Sequence, residues 1–96
     1  MIKVEIKKDV ITITGHAMYD DFGKDIVCAA VSSTVITTVN GILSIDKDAI
    51  KVNEKSGVKI YILKHTEVVD KLILNMINLL TELSKDYKDN IDIRRC

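Results

Sequence analysis

Proline and tryptophan are absent from this sequence, which has only two cysteines, four glycines and one phenylalanine. Without proline there is no stiff linker to divide the chain. Its 96 residues suffice for one hydrophobic core and leave nothing for a second, so a single domain over residues 1–96 is expected. Two cysteines, Cys28 and Cys96, are too few for a disulfide framework and are read as thiols. With aromatics at 4%, little is available for stacking on nucleic-acid bases. An excess of either charge is also missing. Lys+Arg and Asp+Glu both number 14, so no overall field draws DNA, RNA or an anionic membrane to the chain. No run approaches the roughly 18 apolar residues of a membrane span. The N-terminus, Met1 to Glu5, alternates like a strand and lacks the apolar core of a signal peptide. The expectation is a cytoplasmic protein with no membrane partner and no direct nucleic-acid partner.

What is present is patterned. Ile2, Val4 and Ile6 alternate with Lys3, Glu5 and Lys7, the period of a strand with one buried face. Lys8-Asp9 suits a tight turn, and Val10 to Thr14 returns as a β-branched strand. Lys24 to about Ile42 is harder. Its valines, isoleucines and threonines favour strand, but its length far exceeds a usual strand. We read it as a helix buried on most of its surface and stopped at Asn40-Gly41. Ile50 to Asn53 and Val58 to Leu63 form a second hairpin about the turn Glu54-Lys55-Ser56-Gly57. From Glu67, apolar positions through Leu80, Leu83 and Tyr87 follow the 3.6-residue period of an amphipathic helix. Asp89 to Ile93 supplies a short last strand, with Arg94-Arg95-Cys96 as a frayed tail. The order β-β-α-β-β-α-β implies an α+β layer fold, a sheet with two helices packed on one face.

The chemistry concentrates between residues 15 and 33. His16 stands at the exit of the second strand, and Cys28 lies near the start of the first helix. Gly15 and Gly23 bracket the polar loop between them, as the hinges of a substrate lid would. Met18, Tyr19 and Phe22 supply that loop with side chains able to cover an apolar peptide. A helix N-terminus and a neighbouring imidazolium both favour a thiolate. Helix amides can also stabilise an oxyanion formed by attack on a carbonyl. Cys-His is the minimum unit for nucleophilic catalysis, the imidazole taking the thiol proton and later protonating the leaving amine. Helical spacing puts Asp25 and Ser32 on the face of Cys28, where Asp25 can orient the imidazole or position the loop. The same residues have bland readings: a helix cysteine as core filler, a strand-end histidine as surface, bracketing glycines as turns. Asp20, Asp21 and Asp25 lack the alternating ligands and glycine of a calcium loop. Zinc at His16 and Cys28 would need His65 and the terminal Cys96 as well, and a structural zinc site is rejected. His65, at a strand-to-helix junction, is read as structural or exposed. No metal and no cofactor is expected.

The run Gly15-His16-Ala17, followed by Gly23-Lys24-Asp25-Ile26-Val27-Cys28-Ala29-Ala30-Val31-Ser32, resembles the signature of the ribosomal-processing cysteine proteases, the Prp family. The resemblance extends over the chain in length and element order, including the late helix that runs into Tyr87. Where that family often has a stronger helix breaker after the tyrosine, this chain has Lys88. The resemblance implies a cytoplasmic bacterial peptidase that removes a short N-terminal extension from the precursor of large-subunit ribosomal protein L twenty-seven. It further implies a homodimer, His16 and Cys28 as the catalytic dyad, Asp25 and Ser32 in support, and a loop that closes on substrate. Two rival readings follow from the residues: a non-catalytic ribosome-associated binding module, and a thiol redox switch at Cys28.

Overall fold

The computed structural model describes residues 1–16, 18, 20–21 and 25–95. Strands β1 (Ile2–Ile6) and β2 (Val10–Thr14) precede helix α1 (Ile26–Ile45), and β3 (Ile50–Asn53) and β4 (Val58–Ile62) precede α2 (Glu67–Asp86). Strand β5 (Ile91–Arg95) ends the order β-β-α-β-β-α-β, as the pattern predicts. The five strands form one sheet in the order β3-β4-β2-β1-β5. All neighbours are antiparallel except β1 and β5, which run parallel.

Period-2 alternation fixes which way the sheet faces. Ile2, Val4, Ile11, Ile13, Ile60 and Ile62 are buried toward the helices, while Lys3, Glu5, Lys59 and Tyr61 point to solvent. A one-residue slip in any strand would exchange the two sets, so burial locks the register. Helix α2 adds Val69, Ile73, Met76, Ile77 and Leu80 to this core. Thr66 caps it by accepting from the Val69 amide at 3.2 Å, and Glu67 and Asp70 complement the positive end of its dipole.

Helix α1 departs from the sequence reading in two ways. It runs through Gly41 to Ile45, with Asp46 as its C-cap. Gly41 sits in open space, where a Cβ would meet nothing within 4 Å. A helical glycine there costs about 1 kcal/mol, which burying Ile42 completely offsets. The threonines that favour strand are accommodated because Thr34 and Thr38 donate to the carbonyls of Ala30 and Thr34, four residues back. The second departure is burial. Only Val27, Val31, Val35 and Ile42 are buried, whereas Ile26, Ile36 and Ile45 are more than half exposed, at 56%, 56% and 61%. The sheet and α2 cover one stripe of the helix and leave the rest open. No charged residue occurs between Ile26 and Ile45, and the helix has the length and hydropathy of a membrane span.

The end of the chain differs too. Arg94 and Arg95, expected in a frayed tail, continue β5 by pairing with Glu5 and Ile6 of β1. Parallel pairing supplies the backbone partners that the local sequence does not advertise. Cys96 lies outside the described residues.

Candidate active site

A cleft of about 800 Å³ opens between the first turns of α1 and the end of the sheet where β2 finishes and β4 begins. The β1–β2 register places Thr14 opposite Lys3, so the chain leaves β2 alongside the N-terminus. Gly15 makes that exit at φ +86, and a Cβ there would fall against the Met1 carbonyl oxygen. A left-handed conformation and a backbone contact both require glycine at this position. His16 follows immediately, exposed on the cleft wall.

Across the cleft, Asp25 caps α1. One of its carboxylate oxygens accepts from the amides of both Val27 and Cys28, at 3.0 Å each. This is the geometry of an acidic N-cap, which satisfies helix amides that otherwise lack partners. Cys28 is consequently fixed in the first turn, partly buried and packed against the core, with its side chain on the cleft. Asp25 thus positions the cysteine through the backbone. The amides of Val27 and Cys28, which a bare helix end would present to an oxyanion, are taken by this carboxylate. Ser32 is exposed one turn beyond Cys28 and lines the same cleft.

Six of the residues singled out in the sequence, Gly15, His16, Met18, Asp25, Cys28 and Ser32, therefore line one cleft. Met18 occupies the left-handed region at φ 57, a cost of about 1–2 kcal/mol for a residue with a Cβ, and its side chain is 79% exposed. Tyr19, Phe22 and Gly23, assigned to the lid and its hinge, lie outside the described residues. Among the described residues, no group of three or more His, Cys, Asp or Glu side chains is placed to hold a metal ion.

Several cleft residues were not singled out beforehand. Ile2, Ile13, Val31 and Val58 form an apolar floor, and Gly57 closes one side. Gly57 lies at φ +84, where a Cβ would sit 2.5 Å from the Ile13 carbonyl oxygen and 2.8 Å from Thr14 Cγ2. Its turn residues were legible. Its place beside Thr14 comes from the β2–β4 pairing of Ile13 with Val58, a contact no local pattern announces.

Comparison with known proteins bears on what this cleft does. The sequence matches the family described as cysteine protease Prp over residues 1–92. It is 30% identical over 91 residues to the ribosomal processing cysteine protease Prp of Bacillus subtilis (strain 168), covering 84% of this chain and 80% of that protein. Its fold is similar to the crystal structure of an essential ribosomal processing protease Prp from S. aureus in complex with a covalently linked product peptide. That similarity has a TM-score of 0.91 and 23% identity, and it covers 100% of both chains. A structure of the S. aureus protease in complex with a substrate peptide gives a TM-score of 0.80 at 19% identity, covering 99% of this chain and 97% of that one. The structures establish the shared fold. The sequence match, running from the first strand into the last, establishes descent, and the chain belongs to the ribosomal processing cysteine protease (Prp) family.

Proposed function

We propose that residues 1–96 act as one cytoplasmic cysteine endopeptidase domain that removes the N-terminal extension of the ribosomal protein L twenty-seven precursor. Cys28 is the nucleophile and His16 its general base. The observation that carries this reading is that both residues line one cleft, with Cys28 held in the first turn of α1. The imidazole of His16 takes the thiol proton, and Cys28 Sγ attacks the carbonyl carbon of the scissile peptide bond. The tetrahedral intermediate collapses by breaking the C–N bond, and the imidazolium gives its proton to the departing amine. A thioester to the N-terminal fragment remains. His16 then removes a proton from water, which attacks the thioester, and the fragment leaves as a carboxylic acid as the thiol is restored. No step requires a metal or cofactor.

The cleft suits an extended peptide. Ile2, Ile13, Val31 and Val58 offer apolar surface to side chains near the scissile bond, and Met18 stands exposed at the rim to cover them. Asp25 holds the start of the helix, and Ser32 adds a hydroxyl to the wall one turn away.

A homodimer completes the proposal. A face of α1 bearing Ile26 and Ile36, with no charge anywhere along the helix, is poorly suited to water. A second copy covers it and buries those isoleucines.

The test is incubation of the precursor with the purified chain, followed by mass spectrometry. The expected result is two fragments from one cleavage near the precursor's N-terminus, and none with Cys28→Ala. An intact precursor that nonetheless binds would favour a binding module. Reversible oxidation of Cys28 without cleavage would favour a redox switch.

A further inference from the structure

At the end of the sheet opposite the cleft, one histidine joins three parts of the fold. His65 lies in the segment between β4 and α2. Its Nε2 is 2.6 Å from Asp9 Oδ1 in the β1–β2 turn, and its Nδ1 is 2.8 Å from Asp70 Oδ1 in the first turn of α2. Backbone contacts converge on the same place. The Ile62 amide donates to the Asp9 carbonyl at 2.8 Å, and the amides of Leu63 and Lys64 donate to the Ala49 carbonyl. Lys64 Nζ reaches Asp46, the C-cap of α1, at 3.1 Å.

We propose that Asp9, His65 and Asp70 form a pH-gated clasp, which pins the β1–β2 turn to the start of α2 when the imidazole carries two protons and releases one side when it carries one. The reason is the donor count. Both carboxylates are acceptors only, so an imidazolium donates to both, whereas a neutral ring has a single N–H and sets its other lone pair against carboxylate oxygen. The neighbouring charges do not substitute for it. Lys64 is paired with Asp46, and Lys71 with Glu67 one turn along α2. Lys7 and Lys8 precede Asp9 on the turn itself. Hydrogen bonds from His65 to Asp9, then to Asp70, raise the histidine above its ordinary value. A raised histidine stabilises the fold fully below about pH 6.5, its unfolded value, and the contribution is lost as pH rises through the higher folded value. The clasp therefore closes toward mild acid and loosens toward alkaline pH. It shares no residue with the cleft and does not depend on the peptidase reading.

The test is an NMR titration of the His65 ring in the wild-type chain, Asp9→Asn and Asp70→Asn, with amide exchange measured alongside. Asparagine preserves size and acceptor but removes charge at two exposed positions. The expected result is a raised midpoint in the wild type that falls in each variant. Exchange protection at the Ile62 amide and at the Lys7 amide, which donates to the Val10 carbonyl across the β1–β2 turn at 3.0 Å, corrected for intrinsic rate, should drop across the same interval and be flat in His65→Gln. An ordinary midpoint unchanged by either substitution would overturn the clasp, as would wild-type protection that ignores the titration.

Discussion

Asp25 illustrates how a single side chain acts through geometry. Its carboxylate receives the Val27 and Cys28 amides, so it fixes both the start of α1 and the seat of Cys28. Asp25→Ala should cost about 1 kcal/mol of stability and lower turnover, while Asp25→Ser should recover most of the stability. Urea unfolding and a cleavage assay read the two effects separately. An alanine variant with unchanged unfolding would mean that the cap contributes nothing. Gly57 makes the opposite point, since what counts is the missing side chain. Gly57→Ala should destabilise by about 1–2 kcal/mol from its left-handed backbone alone. The carbonyl that a Cβ would strike should add to this, and thermal unfolding would show it.

At the scale of elements, α2 and α1 respond differently to substitution. Leu80 of α2 is fully buried, and Leu80→Ala should cost about 2–5 kcal/mol in unfolding free energy. Ile36 of α1 is largely exposed, and Ile36→Lys should leave unfolding of the dilute, monomeric chain nearly unchanged while weakening the proposed self-association in sedimentation equilibrium. The same contrast shows what could be read from sequence. Helix α2 was legible because a single amphipathic stripe, bounded by Thr66 and Tyr87, already encodes its packing. For α1, apolar residues on every side signalled burial, and the fold instead leaves much of that surface open. Its true end at Ile45 depends on a core site for Ile42, which the local pattern at Asn40-Gly41 does not contain. Strand β5 reached Arg95 because β1 was there to pair with it. Gly15, His16, Asp25, Cys28 and Ser32 were legible because they lie within one short stretch. The floor supplied by Ile2, Ile13 and Val58 was not, because it depends on strand order.

For the whole molecule, the strand order and the cap of α1 together bring His16 and Cys28 to one cleft. Strand β2 ends at Thr14, two residues before His16, the cap seats Cys28 in the first turn of α1, and the cleft they line has a volume of about 800 Å³. The central claim is that peptide cleavage passes through a thioester on Cys28. The most direct measurement is intact-protein mass spectrometry of the chain, acid-quenched within the first turnover of a precursor peptide and then mapped by fragmentation. The account predicts an added mass equal to the N-terminal fragment less water, located on Cys28 and absent in Cys28→Ala. Cleavage that persists in Cys28→Ala, or an adduct mapped to any other residue, would contradict it.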